Sequence, residues 1–220
     1  MCGRYTLYSN GRELEHYYGT GACPQFKQSY NIVPSTDCPV IRLDKDQKRE
    51  IALCNWGLVP RWAKSGSKIR PINAKAETVG KKPFFRHAFK QQRCLVPANG
   101  FYEWKGTSGN KQPYYIKPVG KVFFSFAGLW DHWESPEENI ESFTIITTRA
   151  NRVMSPIHSR MPVILAADNL DKWLHEGGKE LLEHCPDDQI EITVVSTRVN
   201  RPTHDSADLI RPGREHGEGL

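Results

Sequence analysis

The chain opens Met1-Cys2-Gly3-Arg4-Tyr5, and the cysteine at its second position is the first residue whose type and place suggest chemistry. Removal of the initiator methionine, which a small second residue favours, leaves a free N-terminal cysteine. Its α-amine has a pKa of about 7.7–8.0 and its thiol about 8.5, so roughly a tenth to a third of the amine is unprotonated near neutrality. Such a 1,2-aminothiol suits an aldehyde: the amine forms an imine, and the sulfur closes on it to give a five-membered thiazolidine. The competing description is an incidental cysteine in a disordered terminus.

Three other stretches carry groups able to move protons or hold a substrate. Pro97-Ala98-Asn99-Gly100-Phe101-Tyr102-Glu103-Trp104 sets a carboxylate between two aromatics. Packing against them would raise its pKa toward that of a general acid, whereas a strand-edge glutamate would keep its head in water. Pro156-Ile157-His158-Ser159-Arg160-Met161-Pro162 places an imidazole and a guanidinium in a proline-bounded loop. His158 is either a proton shuttle or a structural surface histidine. Ile72-Asn73-Ala74-Lys75-Ala76-Glu77-Thr78 adds an amide and a cation, as a turn or as an orienting group with a phosphate contact.

Basic residues cluster. Lys81, Lys82, Arg86, Lys90 and Arg93 fall in a stretch without an acidic residue, preceded by Arg61-Trp62-Ala63-Lys64 and Lys68-Ile69-Arg70. Cations interleaved with Trp62, Phe84 and Phe85 resemble a single-strand channel, where phosphates are neutralised and bases stack. A solvated helix face over apolar packing has the same composition. The six cysteines show no CxxC and no companion His pair, which argues against zinc and points to no metal and no cofactor. Apart from Cys2 they read as buried small hydrophobes.

Positioning these groups falls to a chain of 220 residues with 38% hydrophobic and 25% charged residues, a net charge of +5 and no internal repeat. Its pI near 8.9 permits polyanion binding without requiring it. No apolar run is long enough to span a membrane, and the N-terminus lacks a signal-peptide core, so an intracellular soluble domain is expected. Ser9 to Tyr18 is expected to be helical, with Asn10 and Glu13 forming a capping box. Strand-like runs recur at 39–43, 51–56, 114–117, 122–130, 143–148, 161–165 and 190–196, and Thr107-Ser108-Gly109-Asn110 reads as a hairpin turn. Two further helices are expected. Pro83 opens one through Phe89, and Asp168 caps the stripe Leu170, Trp173 and Leu174, which stops at Gly177-Gly178. This pattern predicts a single α+β domain over 1–220: curved, mainly antiparallel sheets forming an open barrel-like core with a few short helices. Its core would run about 2–212, with a frayed tail over 213–220.

These stretches, together with Tyr30-Asn31-Ile32-Val33-Pro34, Trp56-Gly57-Leu58-Val59-Pro60 and Arg93-Cys94-Leu95-Val96, occur in an order that resembles the SRAP family, the SOS response-associated peptidase domain of abasic-site processing proteins. The resemblance covers about residues 2 to 212. It implies covalent capture of abasic sites in single-stranded DNA, by a monomer in the cytoplasm or nucleoid, or in the nucleus of a eukaryote. On that resemblance Cys2 would form the crosslink, Asn73 would orient the terminus and sugar, Glu103 would be the acid/base, and His158 would assist ring opening and reversal. Arg4, Lys75 and Arg160 would hold phosphates, Arg86 would join the DNA-binding set, and Trp62 would pack on the nucleotide chain. Autoproteolysis and a lyase side reaction are also implied. Lys75 stands where many members have Arg, and Asn99 and Ser159 where Asp is frequent. Two other functions fit the same residues: a thiol peptidase using Cys2, His158 and Glu103, or a non-covalent single-strand binding module.

Overall fold

The computed structural model describes residues 2–107 and 110–213. Among them the strands run β1 (Tyr5–Leu7), β2 (Ser29–Ile32), β3 (Asp37–Leu43), β4 (Arg49–Trp56), β5 (Asn73–Lys75), β6 (Arg93–Ala98), β7 (Gly100–Thr107), β8 (Asn110–Pro118), β9 (Phe124–Glu134), β10 (Asn139–Arg149), β11 (Arg160–Pro162) and β12 (Ile190–Val194). One sheet has the order β12-β8-β7-β1-β2 and is antiparallel throughout. In the other, β4-β3-β6-β9 curls until β10 pairs with both ends. It lies antiparallel to β9 and parallel to β4, at Ser142 opposite Asn55 and Phe143 opposite Trp56. The predicted α+β class and curved antiparallel sheets are therefore present, and the barrel is closed where an open one was expected.

Closure is a packing result. Inward-facing Val40, Cys54, Trp56, Cys94, Val96, Phe126, Phe143 and Ile145 share one face of the register, are buried and fill the interior. Gly128 on β9 permits the tight wall, because a Cβ there would sit 2.8 Å from Cys94 Sγ and 2.9 Å from Val96 Cγ2. A smaller cluster of Tyr102, Tyr115, Val195, Val199 and Leu209 is separate from this core.

Helix α1 (Gly11–Tyr18) has the expected capping box. Asn10 accepts from the Glu13 amide, Glu13 accepts from the Asn10 amide, and Gly19 ends the helix in the left-handed region at φ 63°. The other helices start later or differently than predicted. Helix α2 (Arg86–Gln91) begins three residues after Pro83, because the amides of Phe85 and Arg86 both turn back onto the Lys82 carbonyl first. Helix α3 (Leu170–His175) has no side-chain cap; Asp168 lies inside the 3₁₀ turn Ala167–Asn169 that precedes it.

Strands β1, β2, β5, β6 and β7 went unpredicted, although their residues supplied most of the motifs. The Thr107-to-Asn110 hairpin is supported by the pairing of those two residues, while Ser108 and Gly109 lie outside the described residues. Gly213, expected at the start of a frayed tail, is instead held, its amide donating to the Val194 carbonyl at 2.8 Å; positions 214–220 lie outside the described residues. All six cysteines are free thiols. Cys38, Cys54, Cys94 and Cys185 are buried as expected, but Cys23 is only partly so, and Cys2 is buried as well.

Candidate active site

Strand β10 organises the site because different strands share its C-terminal half. On one side β5 runs parallel to it, with Asn73 opposite Ile145 and Lys75 opposite Thr147. β11 pairs antiparallel with the same stretch, with Pro162 opposite Thr147 and Arg160 opposite Arg149. The Asn73–Lys75 motif and the His158–Arg160 motif, distant in sequence, are thus neighbours across one strand.

Asn73 Nδ2 donates to the Cys2 carbonyl at 2.8 Å, which fastens the N-terminal segment to β5. The other end of the amide, Oδ1, is buried without a hydrogen-bond partner among the described residues, an acceptor available to a ligand. Cys2 itself is fully buried. On the next strand, Tyr5 lies opposite Phe101 and the Tyr102 amide donates to the Arg4 carbonyl at 3.0 Å. That register brings Glu103 alongside the start of the chain, and its side chain is 3% exposed.

The thiol responds to both features. Burial pushes the Cys2 pKa well up, and the neighbouring Glu103 carboxylate pushes it further. At neutral pH the sulfur is therefore held as a thiol. Glu103 owes its burial to something other than the flanking aromatics expected to enclose it. Strand alternation sends Tyr102 and Trp104 to the opposite face, into the Tyr115/Val199 cluster, while Glu103 shares the face of Phe101.

His158 ends a turn in which its amide bonds the Met154 carbonyl at 3.1 Å and the Met154 amide bonds Asn151 Oδ1 at 3.0 Å. Its Nδ1 accepts from the Arg160 amide at 2.9 Å, so the neutral ring carries its proton on Nε2. The Arg160 carbonyl lies 3.1 Å from the same nitrogen.

The cations expected to meet phosphates divide into two groups. Arg4 is engaged inside the protein: Nη1 donates to Asn31 Oδ1 at 2.6 Å and to the Val199 carbonyl at 2.8 Å. Arg160 gives its two terminal nitrogens to Glu77, at 2.6 and 3.0 Å, and also bonds the Thr147 carbonyl. Lys75 and Arg86 are exposed and, among the described residues, make no ion pair. Trp62 is 56% exposed and meets Phe84 edge-on at 5.6 Å between ring centroids. This aromatic ledge lies on the loop after β4, which Asp131 anchors by accepting from the Arg61 amide and Nε.

Arg93 leaves the basic run altogether. It is buried and donates to the carbonyls of Phe89, Lys90, Trp173, Leu174 and His175, closing the C-terminal ends of α2 and α3 together. Asn99 is likewise structural. It accepts from the Tyr8 and Ser9 amides and donates to Ser9 Oγ and the Val122 carbonyl, at the end of β1 away from Cys2. Ser159 is exposed, and its carbonyl accepts from Ala150. Sequence reasoning quoted Glu77 without a role and missed Thr147, which only the pairing of β10 brings to Arg160. No group of three or more His, Cys, Asp or Glu able to hold a metal ion occurs among the described residues, and no helix there is long and apolar enough to cross a membrane.

Comparison with known proteins shows what this chain is similar to. A family model described as SOS response associated peptidase (SRAP) matches residues 1–202. Abasic site processing protein YoqW of Bacillus subtilis (strain 168) is 40% identical over 223 residues, spanning 96% of this chain and 99% of its own. Abasic site processing protein HMCES of Xenopus tropicalis is 33% identical, over 86% of this chain and 68% of its own. A crystal structure of a protein from Bacteroides thetaiotaomicron superposes with a TM-score of 0.88 at 27% identity, covering 97% of this chain and all of that one.

Proposed function

From the premise that the chain belongs to the SOS response associated peptidase (SRAP) family, we propose that it processes abasic sites in single-stranded DNA by covalent capture on Cys2, with residues 2–212 acting as one domain. The observation that carries this reading is the anchoring of Cys2 by Asn73 beside the buried carboxylate of Glu103.

Capture starts after Met1 is removed, because an amide nitrogen cannot make an imine. His158, with its proton on Nε2, exchanges protons with the sugar hemiacetal and opens the ring to its aldehyde. Glu103 takes a proton from the Cys2 ammonium, and the freed amine adds to the aldehyde carbon. The protonated Glu103 then returns that proton to the departing hydroxyl, which leaves as water and gives the iminium. The Cys2 sulfur adds to the iminium carbon, its proton passes to Glu103, and the thiazolidine is complete with one water released. Asn73 fixes the terminus so that nitrogen and sulfur meet the same carbon. An iminium that stalls before ring closure is open to β-elimination at the sugar, a lyase side reaction.

The single-strand preference follows from access. A sugar aldehyde must leave the stack to reach a buried cysteine, which costs least in an unpaired strand. Lys75, Arg86 and the Trp62–Phe84 ledge provide contacts that carry little sequence information.

The test is incubation of the purified protein with a single-stranded oligonucleotide bearing one abasic site, followed by a denaturing gel and intact-mass analysis. The expected product is a denaturation-resistant adduct of the chain lacking Met1, lighter than the sum of its parts by one water and lost in Cys2→Ala. An adduct undiminished by Cys2→Ala, or a complex that dissociates on denaturation, overturns the covalent mechanism.

A further inference from the structure

Arg160 is buried to the point that its side chain is 14% exposed, while the Glu77 side chain that grips it is 44% exposed. The carboxylate binds both terminal nitrogens, with Oε1 on Nη1 at 2.6 Å and Oε2 on Nη2 at 3.0 Å. This is the fork-on-fork geometry by which a guanidinium also binds a phosphate. Arg160 Nε is buried without an acceptor, so the donor set is not saturated by Glu77 and Thr147. Glu77 follows Lys75 on the same segment, and Arg149 is near enough to act on its charge. A lone anion thus sits among cations, on the solvent side of the most deeply placed one. Arg160 in turn is bonded through its backbone to His158.

We infer that Glu77 is an internal stand-in for a backbone phosphate: it occupies the Arg160 fork in the DNA-free protein and gives that fork up when the strand binds. This rests on the single-stranded DNA reading above and adds to it a residue that sets affinity. Three consequences follow from the geometry. The pair keeps a buried guanidinium from standing uncompensated before DNA arrives, a costly state. It weakens binding of undamaged strands, because each phosphate reaching Arg160 must displace a bidentate carboxylate. It also keeps the Arg160 backbone, and with it the His158 ring, in one place in both states.

Equilibrium binding of an undamaged single-stranded oligonucleotide tests this without involving the covalent step. Four proteins are compared at low and moderate salt: wild type, Glu77→Gln, Arg160→Gln and the double variant, with thermal melts to confirm folding. Glu77→Gln is expected to bind about threefold or more tighter than wild type, with a salt dependence steeper by up to about 0.7 in the log–log slope, one single-strand phosphate contact. The gain should vanish in the Arg160→Gln background. A gain of equal size with and without Arg160 would mean only that net charge had risen, and would overturn the inference. So would unchanged or weaker binding by a folded Glu77→Gln protein, which would leave Glu77 as a structural clamp. If wild type itself fails to bind single strands, the functional reading falls instead, and the two failures are distinct.

Discussion

Removing the Asn73 side-chain donor tests the site most directly. Its bond to the Cys2 carbonyl is 2.8 Å long, and Cys2 is fully buried. In Asn73→Ala that carbonyl either stays buried and unpaired, at about 1–3 kcal/mol, or leaves its place and carries the cysteine with it. Either way the loss falls on the arrangement that reacts. At about 1.4 kcal/mol per factor of ten, single-turnover adduct formation should slow by about 5- to 150-fold. Asn73→Asp should be slower still at neutral pH, because it aims an anion at a carbonyl oxygen and adds a second carboxylate near Glu103. It should recover part of the loss as the pH falls, since a protonated Asp can donate again. The assay is quenched-gel kinetics on an abasic oligonucleotide at saturating protein, with urea unfolding alongside to separate misplacement from loss of fold. An Asn73→Ala protein that reacts within twofold of wild type would refute the anchoring argument, and an Asp variant as fast as the Ala variant would refute its electrostatic part.

Other expectations are independent of the chemistry at Cys2. Arg93→Lys replaces five hydrogen bonds to helix-end carbonyls with at most three donors at a single point, and should cost about 2–4 kcal/mol in urea unfolding; a loss below about 0.5 kcal/mol would contradict the double-cap reading. Trp62→Ala should weaken non-covalent single-strand binding by about 1–3 kcal/mol at fixed salt without changing the melting temperature, whereas unchanged affinity would remove the ledge from the DNA path. Burial pushes the thiols of Cys38, Cys54 and Cys185 up to about 12. The unfolded thiols ionise near pH 8.5, so between there and about 12 the native state binds more protons and stability must fall as pH rises, by about 1.4 kcal/mol per pH unit for each thiol. Cys2 and Cys94 are raised by burial too, so urea midpoints at pH 8 and pH 10 check the sign, and replacing Cys38 with Ala should flatten the slope by about a fifth.

What could be read in advance was what is local. The capping box at Asn10 and Glu13 and the longer β-branched runs are written in neighbouring residues, and they appear where expected. β1 and β5 are three residues each and exist only because β2 and β7 pair with the first and β10 with the second, so no periodicity could announce them. Glu103 illustrates a subtler failure. Of its two readings, buried between aromatics or at a strand edge with its head in water, the structure has the burial but not the reason, because a strand sends Tyr102 and Trp104 to the face opposite Glu103. Arg93 failed in the other direction: a run of like charges reads as a solvated or nucleic-acid-facing surface, and nothing in the run says that one member turns inward to two helix ends. The convergence of Cys2, Asn73 and Glu103 was accessible only through the order of motifs, because the strand pairings that produce it are non-local.

The state of the Cys2 sulfur bears on which chemistry the site favours. A thiol peptidase needs a thiolate at rest, which a neighbouring cation such as an imidazolium stabilises by drawing the pKa down. Here burial and the Glu103 carboxylate both push the other way, so a sulfur-first attack on a peptide carbonyl begins from a scarcely populated state. The α-amine of a processed chain has no such handicap, since its ordinary pKa lies close to neutrality. An amine that leads and a thiol that follows discriminate by electrophile: aldehydes form imines with amines, and amides do not. The same carboxylate that suppresses the thiolate can accept the thiol proton once an iminium stands beside it, at the one moment when the sulfur is needed. On the mechanism proposed above, Glu103 would thus act as a filter before the reaction and as a base within it, and both roles would draw on the burial that the strand register imposes.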